Sequence, residues 1–247
     1  KDNKLLRSLQ GFERKETLHE TKISLEYHDE LNPKLWDGAR LKTEVREALL
    51  KFGYAWAKFA KIPENIILDM IMTGGNANYN YTPKSDIDVH LVIDRNALGN
   101  NREFVDEYLK DKKVLWTLTH DIKILGYSLE PYAQDNTERE NQGVYSLKNS
   151  RWIQFPNKGN YDWQNDPGLK RKVIFYKHLI DSIINNKMDV DAVNDLKSRI
   201  KNMRSAAIAK GGEFSFENLV FKELRNRGYL DKLNKYEQTM KDKELSL

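Results

Sequence analysis

The sequence predicts a mixed strand-and-helix core followed by a helical end, and three observations carry that prediction. A helical period over Gly38–Ile62 precedes two apolar segments of strand length, Ile66–Met72 and Asp86–Ile93. A stretch rich in Pro, Gly and Asn, Pro156–Gly168, closes the mixed block. Beyond it the apolar spacing is helical to the end of the chain. Elements in that order read as α+β or α/β with a helical cap.

Residues 1–37 are polar and weakly patterned, with a turn at Asn32-Pro33, and read as an N-terminal extension. From Gly38, apolar residues recur at three- and four-residue steps through Leu41, Val45, Leu49, Phe52, Trp56 and Phe59, until Pro63 stops the helix. Ile66–Met72 reads as a buried strand ending at Gly74-Gly75, and Asn76–Ser85 as a polar loop. Asp86–Ile93 alternates, with Ile87, Val89, Leu91 and Ile93 on one face and Asp86, Asp88, His90 and Val92 on the other. Asn100–Leu118 reads as a helix with Phe104, Tyr108, Leu115 and Leu118 on its apolar side. His120–Tyr127 and Ser128–Gln134 are strands joined tightly at Gly126. Asp135–Asn141 is a charged loop, and Val144–Leu147 and Trp152–Phe155 are short strands. Three helices follow, Leu169–Asn185, Val190–Ala209 and Phe216 to about Lys241, the last weakened at Gly228. The expected division is an extension (1–37), a core (38–155) and a helical domain (168–247).

Composition excludes several function classes. Nine Phe, twelve Tyr and five Trp are too many large core residues for a disordered chain. The absence of Cys excludes a disulfide scaffold, a thiolate zinc site and a cysteine nucleophile, and fits a reducing, cytoplasmic setting. No apolar run approaches the roughly 18 residues of a spanning helix, so no membrane partner is expected. With 41 Lys+Arg against 37 Asp+Glu, the formal net charge of +4 is too small to argue for nucleic acid. The chain begins at Lys1 rather than Met, which suits a product cleaved from a longer one.

One segment carries chemistry. Met72-Thr73-Gly74-Gly75 is followed, after ten residues, by Asp86-Ile87-Asp88-Val89. Period two puts Asp86 and Asp88 on one strand face with their Cα atoms roughly 6–7 Å apart, a separation suited to gripping divalent cations jointly. Mg²⁺ takes oxygen ligands, typically one or two carboxylates plus substrate phosphates. Gly74 and Gly75 let a polyphosphate reach backbone N–H groups that a side chain would obstruct. An Asp-x-Asp alone or a Gly-Gly alone is commonplace; the two in this order and spacing point to metal-assisted phosphoryl or nucleotidyl transfer, with two cations clamping the entering and leaving oxygens. A third carboxylate on a neighbouring strand would complete the site, and Asp121 and Glu130 are the candidates. Glu130 is favoured, because a mid-strand acid flanked by bulky residues needs a reason more than an acid at a strand end does. It would bind the catalytic metal and help deprotonate the attacking hydroxyl.

The same residues resemble the signature of the DNA polymerase β-like nucleotidyltransferase superfamily: a glycine pair, a spacer of this length, then Asp-hydrophobic-Asp-hydrophobic. Ser85 before Asp86 is similar to the form common in its small bacterial members. Leu129-Glu130-Pro131 resembles the strand of the family's third carboxylate, with Pro131 an odd occupant. Asn32-Pro33-Lys34-Leu35-Trp36, Asn78-Tyr79-Asn80-Tyr81-Thr82, Gly143-Val144-Tyr145-Ser146-Leu147 and the Phe214–Phe221 segment are similar to an uncharacterised branch of predicted nucleotidyltransferases from bacteriophages and environmental sequences. The resemblance implies an α+β fold with a mixed sheet flanked by helices, a nucleoside triphosphate substrate, ATP among them, and Mg²⁺ or Mn²⁺. It implies that Asp86, Asp88 and Glu130 hold metal, that Gly74, Gly75 and Ser85 cradle phosphates, and a host cytoplasm if the chain is phage-encoded. It names no acceptor: an RNA end such as tRNA, a protein hydroxyl and a small molecule all stay open.

Other residues have a bland reading beside the functional one. His90 could orient a carboxylate or a water, but reads first as a satisfied buried histidine. Ser85 could bond a phosphate or cap its strand. Asn76, Asn78, Asn80, Tyr79 and Tyr81 could line a nucleotide site or simply build the loop. Lys170-Arg171-Lys172, with Lys177, opens a helix where cations are mildly disfavoured, so Lys170 is nominated to meet the triphosphate across a cleft between core and helical half. Lys197, Arg199, Lys201 and Arg204 form a second basic stretch, read as a solvated face because acids are mixed in nearby. The alternative to an enzyme is a catalytically silent nucleotide- or partner-binding module of the same fold, including a virion-associated one.

Overall fold

The computed structural model describes residues 22–140, 143–159 and 162–246, which divide into two units. One spans Tyr27–Asn160; the other joins Tyr161–Leu247 to the residues up to Glu26. The boundary near Asn160 falls inside the predicted Pro- and Gly-rich stretch. The predicted N-terminal extension is shorter than expected, because Leu31, Leu35 and Trp36 are buried in the core of the first unit.

In that unit Trp36–Asp37 (β1) and Arg40–Leu41 (β2) pair as a two-stranded hairpin ahead of the first helix, Thr43–Phe59 (α1). The predicted helix start at Gly38 is therefore too early. Then come Ile67–Thr73 (β3), Ile87–Ile93 (β4), Arg102–Thr119 (α2), Lys123–Ile124 (β5), Tyr127–Asp135 (β6), Val144–Ser146 (β7) and Arg151–Gln154 (β8). Strands β3 to β8 form one mixed sheet in the order β5-β6-β4-β3-β7-β8, in which β4 and β6 run parallel and the other neighbours antiparallel. The α2 helix makes the crossover between the parallel pair, as a parallel connection requires.

Alternation decides the two faces of this sheet. Ile87, Val89, Leu91 and Ile93 join Met70, Met72, Leu129 and Ala133 in one apolar cluster, and both α1 and α2 bury their apolar stripes in it. The α1 stripe is Val45, Leu49, Phe52 and Trp56, close to the predicted one. The α2 stripe is Val105, Leu109 and Trp116, which corrects the prediction: Phe104, Leu115 and Leu118 are exposed and Tyr108 only half-buried. Both sets repeat at helical spacing, and the crossover aims only one of them at the sheet.

The second unit is helical: Pro167–Asn185 (α3), Val190–Gly211 (α4), Phe216–Asn226 (α5) and Tyr229–Leu245 (α6). Four helices replace the three predicted, because Gly228 adopts a left-handed conformation (φ 76°) that ends one helix and opens the next. Leu179, Ile180, Ile183, Val193, Leu196, Ile200 and Leu233 make its core. The fully buried Glu223 carboxylate accepts the Ser24 backbone N–H at 3.0 Å, the Ser24 hydroxyl at 2.6 Å and Arg227 Nε at 2.6 Å, which ties residues beside Ser24 to α5. The chain is thus α+β, with a mixed sheet and flanking helices, and six helices among the described residues. None of them is long and apolar enough to cross a membrane.

Candidate functional site

The polar face of the sheet is organised in rows. Thr73, Asp88 and Glu130 are register partners across β3, β4 and β6; Ile71, His90 and Tyr132 form the next row, and Asp69, Val92 and Gln134 the third. Neighbours in register project to the same side of a sheet, so the β4 and β6 alternation alone brings Asp88 beside Glu130. Asp86 stands one residue before β4 and, like Asp88, is half-buried. Asp121, the other acid considered for the third position, lies before β5, exposed and paired to Lys123 at 3.1 Å.

The glycine pair sits against this row. Gly74 has φ 81°, and a Cβ added there would lie 1.9 Å from Asp88 Oδ2. The backbone thus approaches the carboxylate more closely than any other residue type allows. A Cβ on Gly75 would lie 2.8 Å from Ser85 Oγ. The loop between is held by its own polar groups. Asn76 Nδ2 donates to the carbonyls of Ser85 and Asp86 at 3.1 and 3.0 Å, while its Oδ1 accepts from Asn32 at 2.8 Å. Asn78 Nδ2 donates to the Gly74 carbonyl at 2.7 Å, and its Oδ1 accepts the Gly143 N–H at 3.0 Å. Ser85 is buried, and its hydroxyl oxygen accepts the Thr82 N–H at 2.9 Å. Of the loop residues with two readings, Asn76, Asn78 and Ser85 have side chains that build the loop, and the Tyr81 ring stacks on His28 at 3.8 Å between centroids. Asn80 differs: it is buried with neither side-chain atom hydrogen-bonded.

Around the row the charges are paired. Lys113 of α2 reaches Glu130 Oε2 at 3.4 Å, both side chains substantially exposed. His90 Nδ1 lies 2.7 Å from Gln134 Oε1 and 3.5 Å from Glu140 Oε1. Burial holds the His90 imidazole below its ordinary pKa, against the opposing hydrogen bond to Gln134. Beyond Tyr132 a buried Arg95 bonds the Ala133 carbonyl at 2.6 Å and the Tyr132 hydroxyl at 3.0 Å, and pairs with Asp106 at 2.9 Å and Glu138 at 3.1 Å. Neither Lys113 nor Arg95 was legible as a neighbour of the site, since contacts between a crossover helix, a loop and a strand leave no sequence spacing to read.

Asp135, at the end of β6, has a strongly depressed carboxyl pKa. The Thr137 hydroxyl at 2.5 Å holds it at about 2, helped by the Arg95 backbone N–H and the Arg102 guanidinium at 3.2 Å. A carboxylate whose pKa is depressed on folding stabilises the fold above its unfolded value of 3.8, and that contribution disappears as pH falls toward about 2. The shift corresponds to about 2 kcal/mol for this side chain, which is almost fully buried. Urea unfolding of the native chain and of Asp135→Asn at pH 5, 4, 3 and 2.5 measures it. The stability gap between the two should shrink by about two-thirds of that amount across this range, since pH 2.5 still lies above the folded value; a gap independent of pH would contradict it.

The acids nominated for metal fit a hard cation by chemistry, being oxygen donors only. Among the described residues, however, no three Asp, Glu or His side chains converge as a metal-holding group. Glu130, the third acid considered, is engaged by Lys113. Lys170, nominated for the triphosphate, stands half-buried on the first turn of α3, in the helical unit; its neighbour Lys172 is bonded to Glu217 at 3.0 Å. Comparison of the chain with protein-family models, curated proteins and solved structures finds no match.

Proposed function

We propose that the core unit is a polymerase β-like nucleotidyltransferase that moves a nucleoside monophosphate from a triphosphate to an acceptor hydroxyl and releases pyrophosphate. One observation carries the reading: the Thr73–Asp88–Glu130 row has the Gly74 backbone pressed against the Asp88 carboxylate. A side chain at position 74 would fill the space where a triphosphate has to approach that carboxylate. Asp86 and Asp88 would hold Mg²⁺ or Mn²⁺ arriving with the triphosphate, and the bound ion supplies compensation for phosphate charge. The acceptor oxygen forms a bond to the α-phosphorus as the bond from that phosphorus to the bridging oxygen breaks, and the electron pair leaves with pyrophosphate. Glu130, more exposed than Asp88, would take the acceptor's proton on its carboxylate. Gly74 and Gly75 leave the backbone approachable, and the Asn76 and Asn78 bonds keep that loop in place before substrate arrives.

A second reading, a nucleotide-binding module without turnover, is favoured by one observation. Lys113 puts a cation of the chain's own 3.4 Å from Glu130, where a base would have to be free. Pyrophosphate release separates the two readings. The native chain and Asp86→Ala are incubated with each of the four ribonucleotides and Mg²⁺ or Mn²⁺, with and without total tRNA or lysate. Release that needs Asp86 is expected, and the addition that accelerates it identifies the acceptor class. No release under any condition, together with a nucleotide-dependent rise in melting temperature, would replace the enzyme by the binding module.

A further inference from the structure

The basic stretch of α4, expected as a solvated face, is largely exposed and also borders a cavity. Helices α4, α5 and α6 border a half-open hollow of about 500 Å³, within the size range of small-molecule sites. Ile200, Phe221, Leu230 and Leu233 give it an apolar floor. Lys197, Lys201 and Arg204, at i, i+4 and i+7 on α4, stand on its rim, and no acidic residue among the described ones lines it. Arg199 of the same stretch is not part of it.

Like charges at this spacing destabilise a helix unless something offsets them. Lys197 has an offset, since its Nζ lies 2.6 Å from Glu237. Lys201 and Arg204 have no carboxylate partner among the described residues. The Arg204 guanidinium instead lies over the Phe221 ring, 4.3 Å from its centroid, and its Nε donates to Asn218 Oδ1 at 3.3 Å. Those two contacts hold the group rigidly at the mouth of the cavity and leave its terminal N–H groups without a partner among the described residues. An apolar hollow rimmed by uncompensated cations is complementary to one kind of ligand. Its body is apolar and fills the hollow, and its single anionic end meets Lys201 and Arg204.

We infer that the helical unit carries a binding site for a small amphipathic anion, separate from the Asp86–Asp88 site. The anion is a phosphate, sulfonate or carboxylate on an aromatic or aliphatic body. Anilinonaphthalene sulfonate, which has that chemistry, is the probe, titrated by fluorescence into the folded full chain. One saturable site is expected, weakened by salt. Lys201→Glu and Arg204→Gln should each weaken it by about tenfold or more, while Asp86→Ala leaves it unchanged. Lys201 is exposed, so its replacement leaves the fold intact, which circular dichroism checks. Displacement by dodecanoate would assign the natural ligand an aliphatic body, and displacement by adenosine monophosphate an aromatic one; either supports the site. Binding that is non-saturable, that survives both α4 substitutions, or that disappears in Asp86→Ala would overturn it. So would displacement by a single-stranded RNA oligomer but by neither small anion.

Discussion

Asp88→Asn is expected to leave the chain folded and to reduce nucleotidyl transfer by at least about a hundredfold. The two effects have one cause. Asp88 sits in register with Glu130 on the adjacent parallel strand, and Glu130 is also paired with Lys113. Like charges directly opposite across strands are disfavoured by roughly 0.2–1 kcal/mol, so a neutral amide at position 88 suits this pairing. The amide keeps the shape of the carboxylate, and the alternation that buries Ile87 and Val89 on the other face is untouched. What disappears is the negative charge that, in the proposed function, a cation–triphosphate complex would approach. Pyrophosphate release and thermal melting are measured on the same preparation. A variant with native melting temperature and native turnover would remove Asp88 from the site. A variant that unfolds would make its role structural.

Gly74→Ala should lower both stability and activity. The residue has φ 81° and ψ −169°, a region essentially reserved for glycine, where a side chain costs about 1–3 kcal/mol. The added methyl would also lie 1.9 Å from Asp88 Oδ2, a distance that neither atom tolerates. Either the carboxylate swings out of the row or the loop tied by Asn76 and Asn78 shifts. Together with an overpacking cost of roughly 1–3 kcal/mol, the loss of stability should be about 2–6 kcal/mol. Gly75→Ala is the informative comparison. Its backbone is not left-handed, and its methyl would meet only Ser85 Oγ, at 2.8 Å. It should destabilise less and leave Asp88 in place. Denaturant unfolding of both variants tests the ranking, and equal losses would contradict the geometry described for Gly74.

The candidate site was largely legible before the fold was known, because its parts are local. Period two puts Asp86 and Asp88 on one face whatever else the chain does, and the glycine pair marks a backbone position that a side chain would block. The preference for Glu130 over Asp121 followed from its mid-strand place, and the β4–β6 register sets Glu130, not Asp121, beside Asp88. The α2 face was misread for an equally physical reason. Phe104, Tyr108, Leu115 and Leu118 make as good a helical stripe as Val105, Leu109 and Trp116. Periodicity finds stripes but not which one a crossover turns toward the sheet. Likewise no spacing in the sequence shows that α5 and α6 place Phe221, Leu230 and Leu233 beside Lys197, Lys201 and Arg204.

By itself, then, the sequence determined the apolar stripe of α1, the two strands β3 and β4, a break in the Pro- and Gly-rich stretch and the spacing of Gly74, Gly75, Asp86 and Asp88, since all of these depend on residues close in the chain. Only the tertiary structure decided which α2 stripe is buried, that residues 27–37 belong to the core, that Lys113 meets Glu130, and that the α4 cations rim a cavity. Those outcomes depend on contacts between elements distant in sequence. Such contacts are chosen by burial and strand register over the whole unit, and no local spacing encodes them.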